Sequence, residues 1–175
     1  MGEALSQFPF ALTMSSEQML VAGEWCDAED GATSDVLNPA TGEVIATTPK
    51  ATLNDVERCV AASRAALQSK DWAAIDPAQR GRILQKMAAA TYANAKSLAA
   101  LESSNNGKTF REALSEINYG AWTLEYFSGL SDKIEGSTIP VPGNRLNYTL
   151  RQPLGVTAHI VPWNFPLQLA IRSIA

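Results

Sequence analysis

The spacing of hydrophobic positions changes along the chain, and each change marks a different kind of element. Between Met19 and Thr47 the apolar residues fall in short runs, MLVAGEWCDA and then Glu43-Val44-Ile45-Ala46-Thr47. They are separated by AEDGATS and by Asn38-Pro39-Ala40-Thr41-Gly42, both dense in turn formers. This pattern predicts two or three short strands joined by tight turns. From Thr52 the period becomes helical, with Val56, Val60 and Leu67 on one stripe and Thr52/Asp55 in the form of a capping box. Asp76-Pro77 is a second helix start; Leu84, Met87, Ala88, Thr91, Ala95 and Leu98 then follow one face to a stop at Asn106-Gly107. A third helix is predicted over 110–129, with Leu114, Ile117, Ala121 and Leu124 on its inner stripe. Tyr119, Trp122 and Tyr126 form an adjacent stripe, read as core packing ahead of ligand contact.

After Gly136 the period shortens to two. Leu146, Tyr148 and Leu150 alternate with Arg145, Asn147, Thr149 and Arg151, as in a half-solvated strand, and Pro153 ends the run. Leu154 to Val161 is nearly continuously apolar, which predicts a buried parallel-sheet strand closed by Pro162. Pro166 then opens a helix that runs to the last residue. The class is α/β, in four parts: a loose tail over 1–18, strands and helices over 19–136, a strand segment over 137–153, and one strand with a helix start over 154–175. One parallel strand makes no sheet, so the α/β unit is expected to be incomplete.

Composition narrows the function. The chain has 175 residues, 46% of them hydrophobic and 18% charged, which is globular rather than disordered. Its net charge is −4 and its 14 Lys and Arg are scattered, so nucleic acid is not an expected partner. No apolar run is long enough for a membrane span, and MGEALSQFPFAL lacks a basic leader. Gly2 and Ser6 match a myristoylation pattern loose enough to arise by chance, and Met14 is an alternative start. Cys26 and Cys59 have neither metal-ligand nor disulfide spacing, so the expected compartment is a reducing cytoplasm, where the Asn147-Tyr148-Thr149 sequon is idle.

Most chemical motifs are absent: no GxGxxG, Walker loop, HExxH or Cys-x-x-Cys occurs, and no metal site is expected. His159, the sole histidine, falls inside the apolar strand and reads as a hydrogen-bonded core residue. What remains is Pro162-Trp163-Asn164-Phe165-Pro166, between that strand and the last helix. Ligands in open α/β sheets bind beyond the carboxyl ends of strands, where helix N-termini offer free N–H groups. Asn164 can aim an uncharged amide donor there, suited to an oxyanion on a tetrahedral carbon. It can equally cap the helix, the role that local physics alone favours.

NPATGEVIA, DPAQRGRIL, LESSNNGK, SGLSDKIEGSTIPVPG and LNYTLRQPLGVTAHIVPWNFP together resemble the N-terminal portion of the aldehyde dehydrogenase superfamily, in order from about Val21 to Ala175. The resemblance implies an NAD- or NADP-dependent oxidation of an aldehyde to a carboxylic acid. It places Val161, Pro162, Trp163 and Asn164 along the dinucleotide and Asn164 at the thiohemiacetal oxyanion. It puts Phe165, Gln168 and Arg172 toward the substrate, the last two on the Asn164 face if 164–175 is helical. Arginine at Arg172 resembles members that handle carboxylate-bearing or polar aromatic aldehydes; a structural role for it stays open.

The resemblance also implies that Asn147 to Arg151 belong to an oligomerisation strand, and a homo-oligomeric parent. The family's nucleophilic cysteine, its glutamate base and its ribose-contacting Lys-Pro segment are not among these residues; Cys26 and Cys59 match none of them. Some relatives bind a monovalent cation near the positions of Leu37 and Asn105, where asparagine replaces the usual aspartate. The competing expectation is a non-catalytic product, acting through subunit association or inert.

Overall fold

A computed structural model describes residues 17–175, and residues 1–16 of the expected tail, with the Gly2/Ser6 pattern and Met14, lie outside the described residues. The last two tail positions are tied down: the Glu17 N–H donates to the Thr47 carbonyl at 2.9 Å and Gln18 Nε2 to Asp27 Oδ1 at 3.0 Å.

Two antiparallel hairpins come first. β1 (Met19–Val21) pairs with β2 (Glu24–Cys26) through a two-residue turn. Ala22 (φ 55°) and Gly23 (φ 86°) both lie in the left-handed region, as the twist of a tight hairpin demands. β3 (Thr33–Leu37) pairs with β4 (Val44–Pro49), with an irregularity between Val36 and Leu37. Asn38 shapes the intervening turn: its Oδ1 accepts from Ala40 N–H at 2.9 Å and its carbonyl from Gly42 N–H at 2.7 Å.

The predicted helix starts hold in atomic detail. In α1 (Leu53–Gln68) Thr52 Oγ1 accepts from Asp55 N–H, and Asp55 Oδ2 accepts from Thr52 N–H at 2.9 Å. The same carboxylate takes Glu29 N–H and the Arg58 guanidinium, tying the β2–β3 connection to α1. The bond from the Thr52 backbone is the largest of the effects that hold Asp55 below its ordinary value, outweighing an opposing desolvation. After the short α2 (Lys70–Ala73), α3 (Pro77–Ala93) opens with Asp76 and Gln79 in a reciprocal capping box. α4 (Ala95–Asn106) ends on Gly107 at φ 81°, and α5 (Phe110–Ser128) follows. α6 (Pro166–Ile174) closes the chain.

α5 is the centre of the packing. α3, α4 and α6 all lie against it. Ile117 and Ala113 meet Ala95 and Ala99 of α4, while Leu124 meets Ala88 of α3 and Ile171 of α6; Leu167 touches both clusters. Two glycines allow the close approaches, with different tolerances. A Cβ on Gly81 would lie 2.5 Å from the Ser128 carbonyl oxygen, whereas one on Gly120 would lie 2.8 Å from Ile171 Cδ1, the tip of a flexible side chain. Alanine gains up to about 1 kcal/mol of helix propensity over glycine at either site. Gly81→Ala is nonetheless expected to be the worse of the two, because backbone overlap costs about 1–3 kcal/mol. Thermal unfolding of both variants of the full-length protein checks this; equal midpoints would contradict it.

Several expectations require correction. The helix expected from Asp76 to Asn106 breaks at Asn94, whose side chain donates to the Ala90 carbonyl at 2.8 Å and so closes α3. Asparagine is a poor helix former because it competes for nearby backbone groups. The aromatic stripe is not core: Tyr119, Trp122 and Tyr126 are each about half exposed and pack on one another at centroid separations of 5.5 and 6.0 Å. The expected inner stripe of α1 is open as well, with Val56 and Val60 exposed.

Among the described residues, 145–151 forms no regular strand. A narrow hairpin stands in its place: Ile139 N–H donates to Asn147 O, Thr149 N–H donates to Ser137 O, and Thr138 bridges Tyr148. Leu154 to Val161 also lacks any ladder, and Leu154 (96%) and Ile160 (100%) are exposed rather than buried. A strand exists only through its neighbours, and none of the described segments pairs with this one. His159 is therefore exposed, its Nε2 2.8 Å from Thr157 Oγ1.

Candidate functional site

The PWNFP turn is built by two prolines. Pro162 follows the apolar segment, and Pro166 occupies the first position of α6, where its missing N–H is no loss. The N-cap of α6 is Phe165 (φ −140°, ψ 57°), with no side-chain cap bond. The capping role favoured locally for Asn164 is thus not realised: asparagine sits one residue too early. Its exposed side-chain amide has no hydrogen-bond partner among the described residues. Because α6 starts after Asn164, helical spacing does not carry Gln168 and Arg172 onto its face.

Where each expected residue lies is plain. Val161, Pro162 and Arg172 border one open groove of about 510 Å³, together with His159, Leu169 and Ser173. Trp163 is 77% exposed beside it. Gln168 is half-buried, its Cα 3.8 Å from where a Cβ on Gly120 would stand, so its backbone lies against α5, and it is not among the residues that line the groove. Arg172 is exposed, and no carboxylate among the described residues pairs with it. Among the described residues no group of three His, Cys, Asp or Glu could hold a metal, and no helix is long and apolar enough to cross a membrane. Both cysteines are free thiols, and Cys26 Sγ lies 3.8 Å from Arg58 Nη2.

One group beside the turn was not found in the sequence. Lys108 Nζ donates to the Asn164 carbonyl at 2.7 Å and sits 4.7 Å from the centroid of the Phe165 ring. It also bonds Glu102 Oε1 at 2.6 Å and Glu116 Oε2. Burial, reinforced by Glu116, pushes the Glu102 carboxyl above its ordinary range even though Lys108 pulls it down. Burial also opposes the charge on Lys108, but the two carboxylates overcome it and hold the ammonium above its usual value. A signal was available: Glu102 follows Leu98 by four residues, on the apolar face of α4, where a carboxylate requires a partner.

Comparison with known proteins agrees with this architecture. A model of the aldehyde dehydrogenase family matches residues 25–175. Hydroxyisobutyraldehyde dehydrogenase of Mycolicibacterium austroafricanum is 41% identical over 163 residues, which are 93% of this chain and 32% of that protein. Human mitochondrial 10-formyltetrahydrofolate dehydrogenase is 38% identical over 164 residues, 90% of this chain and 18% of that one. The NAD+ complex of aldehyde dehydrogenase from Bacillus cereus superposes with a TM-score of 0.88 at 36% identity, over 91% of this chain and 33% of that chain. The chain spans a third or less of the length of these relatives. Sequence and fold agree along nearly its whole length: the chain belongs to the aldehyde dehydrogenase family, a family of NAD(P)-dependent oxidoreductases.

Proposed function

We propose that this chain supplies the N-terminal part of an NAD(P)-dependent enzyme that oxidises an aldehyde to a carboxylic acid. The observation that carries the reading is the PWNFP turn, with the unpartnered Asn164 amide just before the N-terminus of α6. Its catalytic cysteine and glutamate are assigned outside these residues, the first attacking the aldehyde and the second activating the water that releases the acid. Asn164 donates to the oxygen that becomes negative when the carbonyl carbon turns tetrahedral, stabilising charge that is absent from the free aldehyde. Val161 to Asn164 form one edge of the dinucleotide site. They fit it in being uncharged, with Pro162 to Asn164 exposed, ahead of a helix N-terminus and beside a groove with no acidic lining. Bound NAD or NADP supplies the hydride acceptor. The parent is assigned to the cytoplasm as a homo-oligomer, with residues 137–153 in its oligomerisation element.

Phe165, Gln168 and Arg172 are assigned to the substrate side. An arginine without a carboxylate partner suits an aldehyde that brings its own acid group, bound through two parallel hydrogen bonds. The test is NAD(P)H formation by the full-length protein with a panel of aldehydes, wild type against Arg172→Leu. The expected loss in kcat/KM is about 10–100-fold for carboxylate-bearing or hydroxylated aldehydes, the scale of a hydrogen bond to a charged group. Simple aliphatic aldehydes should be spared. An equal loss for all would make Arg172 structural, and no reduction of either cofactor with any aldehyde would overturn the function itself.

A further inference from the structure

The turn that carries Asn164 has no local anchor. Phe165 caps α6 without a side-chain bond, and the proline after it brings no N–H, so nothing in 162–166 itself sets the direction of the Asn164 side chain. An anchor arrives from a distant part of the chain. An ammonium has three protons to donate, and Lys108 uses all three: to Glu102, to Glu116 and to the Asn164 carbonyl at 2.7 Å. Its position is fixed from two helices, Glu102 on α4 and Glu116 on α5, with side chains only 5% and 17% exposed. The Phe165 ring packs against the same ammonium, so both residues of one peptide bond are held by one charge. Fixing that carbonyl fixes ψ at Asn164, and with ψ the relation of its side chain to α6.

We propose that Lys108 is a positioning residue: clamped by Glu102 and Glu116, it locks the Asn164–Phe165 peptide and thereby aims the Asn164 amide at the reacting oxygen. The proposal rests on the reading of Asn164 as oxyanion donor. A bland role is available, in which Lys108 merely neutralises the buried Glu102 and half-buried Glu116 carboxylates and joins α4 to α5. The two roles differ in what Lys108 acts through.

The experiment is a double-mutant cycle in the full-length enzyme, reading kcat with one good aldehyde for wild type, Lys108→Met, Asn164→Ala and the pair. Displacement by about an ångström near a reaction centre lowers rates up to about 100-fold, so Lys108→Met is expected to lose about 10–100-fold. That loss should vanish in the Asn164→Ala background, because there is no amide left to aim. Additive losses, or a Lys108→Met enzyme with wild-type kcat, would overturn the positioning role while leaving Asn164 as donor. An Asn164→Ala enzyme with wild-type kcat would overturn the donor reading and this proposal with it. Lys108→Met alone strands the buried Glu102 and half-buried Glu116 carboxylates, so Glu102→Gln/Lys108→Met/Glu116→Gln serves as a second variant and replaces it in the cycle should it not fold. The triple variant removes the tether and the stranded charge together. It should be as slow as Lys108→Met; wild-type kcat in the triple variant would establish the merely neutralising role.

Discussion

Asn164→Ala in the full-length enzyme is expected to lower kcat about 100–1000-fold, the usual consequence of removing one oxyanion donor. The loss should fall equally on kcat and kcat/KM, because the bond is made to charge that exists only once the carbonyl carbon is tetrahedral. Asn164→Asp separates this account from a structural one. Aspartate keeps the size and polarity of the side chain and is as good a helix cap as asparagine. It would place a carboxylate against a developing negative charge, so it should be no better than alanine. Near-normal turnover with aspartate would mean that the residue serves the turn and not the chemistry.

The second large effect is complete absence of turnover from the 175-residue chain by itself. Covalent catalysis needs its nucleophile, and neither thiol here is placed for it: Cys26 lies in β2 against Arg58, and Cys59 lies on α1. NADH formation should stay at the buffer rate with every aldehyde tried. Activity that survives Cys26→Ala together with Cys59→Ala would contradict the covalent cysteine chemistry itself. The same sample should associate or unfold without a sharp transition, because Leu154, Ile160, Trp163 and the stripe of Tyr119, Trp122 and Tyr126 are exposed. A cooperative unfolding transition from a monomer would count against that.

What was legible in the sequence was local. The capping box at Thr52/Asp55, the helix start at Asp76-Pro77 and the stop at Gly107 are contacts between residues a few positions apart, and their chemistry can be read from neighbours. The inner stripe of α5 was legible because a helix with one apolar face has one way to bury it. Leu154 to Val161 failed for the opposite reason. Its composition states what environment it suits, and burial depends on partner strands that none of the described residues supplies.

The aromatic stripe failed similarly: Tyr119 and Trp122 lie one face away from Ile117 and Leu124, and periodicity does not say how wide the covered face is. At the site, the PWNFP turn stood out by its prolines and its place after an apolar run. Lys108 did not, because its bond to Asn164 spans 56 positions and joins groups that no sequence period relates.

The central claim is that the Asn164 amide holds the oxygen of the reacting aldehyde. It is tested most directly by a crystal structure of the full-length enzyme trapped as its tetrahedral aldehyde adduct. The account predicts the adduct oxygen at about 2.7–3.1 Å from Asn164 Nδ2, the distance of an effective oxyanion donor, with Lys108 still bonded to the Asn164 carbonyl. An adduct oxygen held by other groups, with the Asn164 amide turned away from it, would contradict the account.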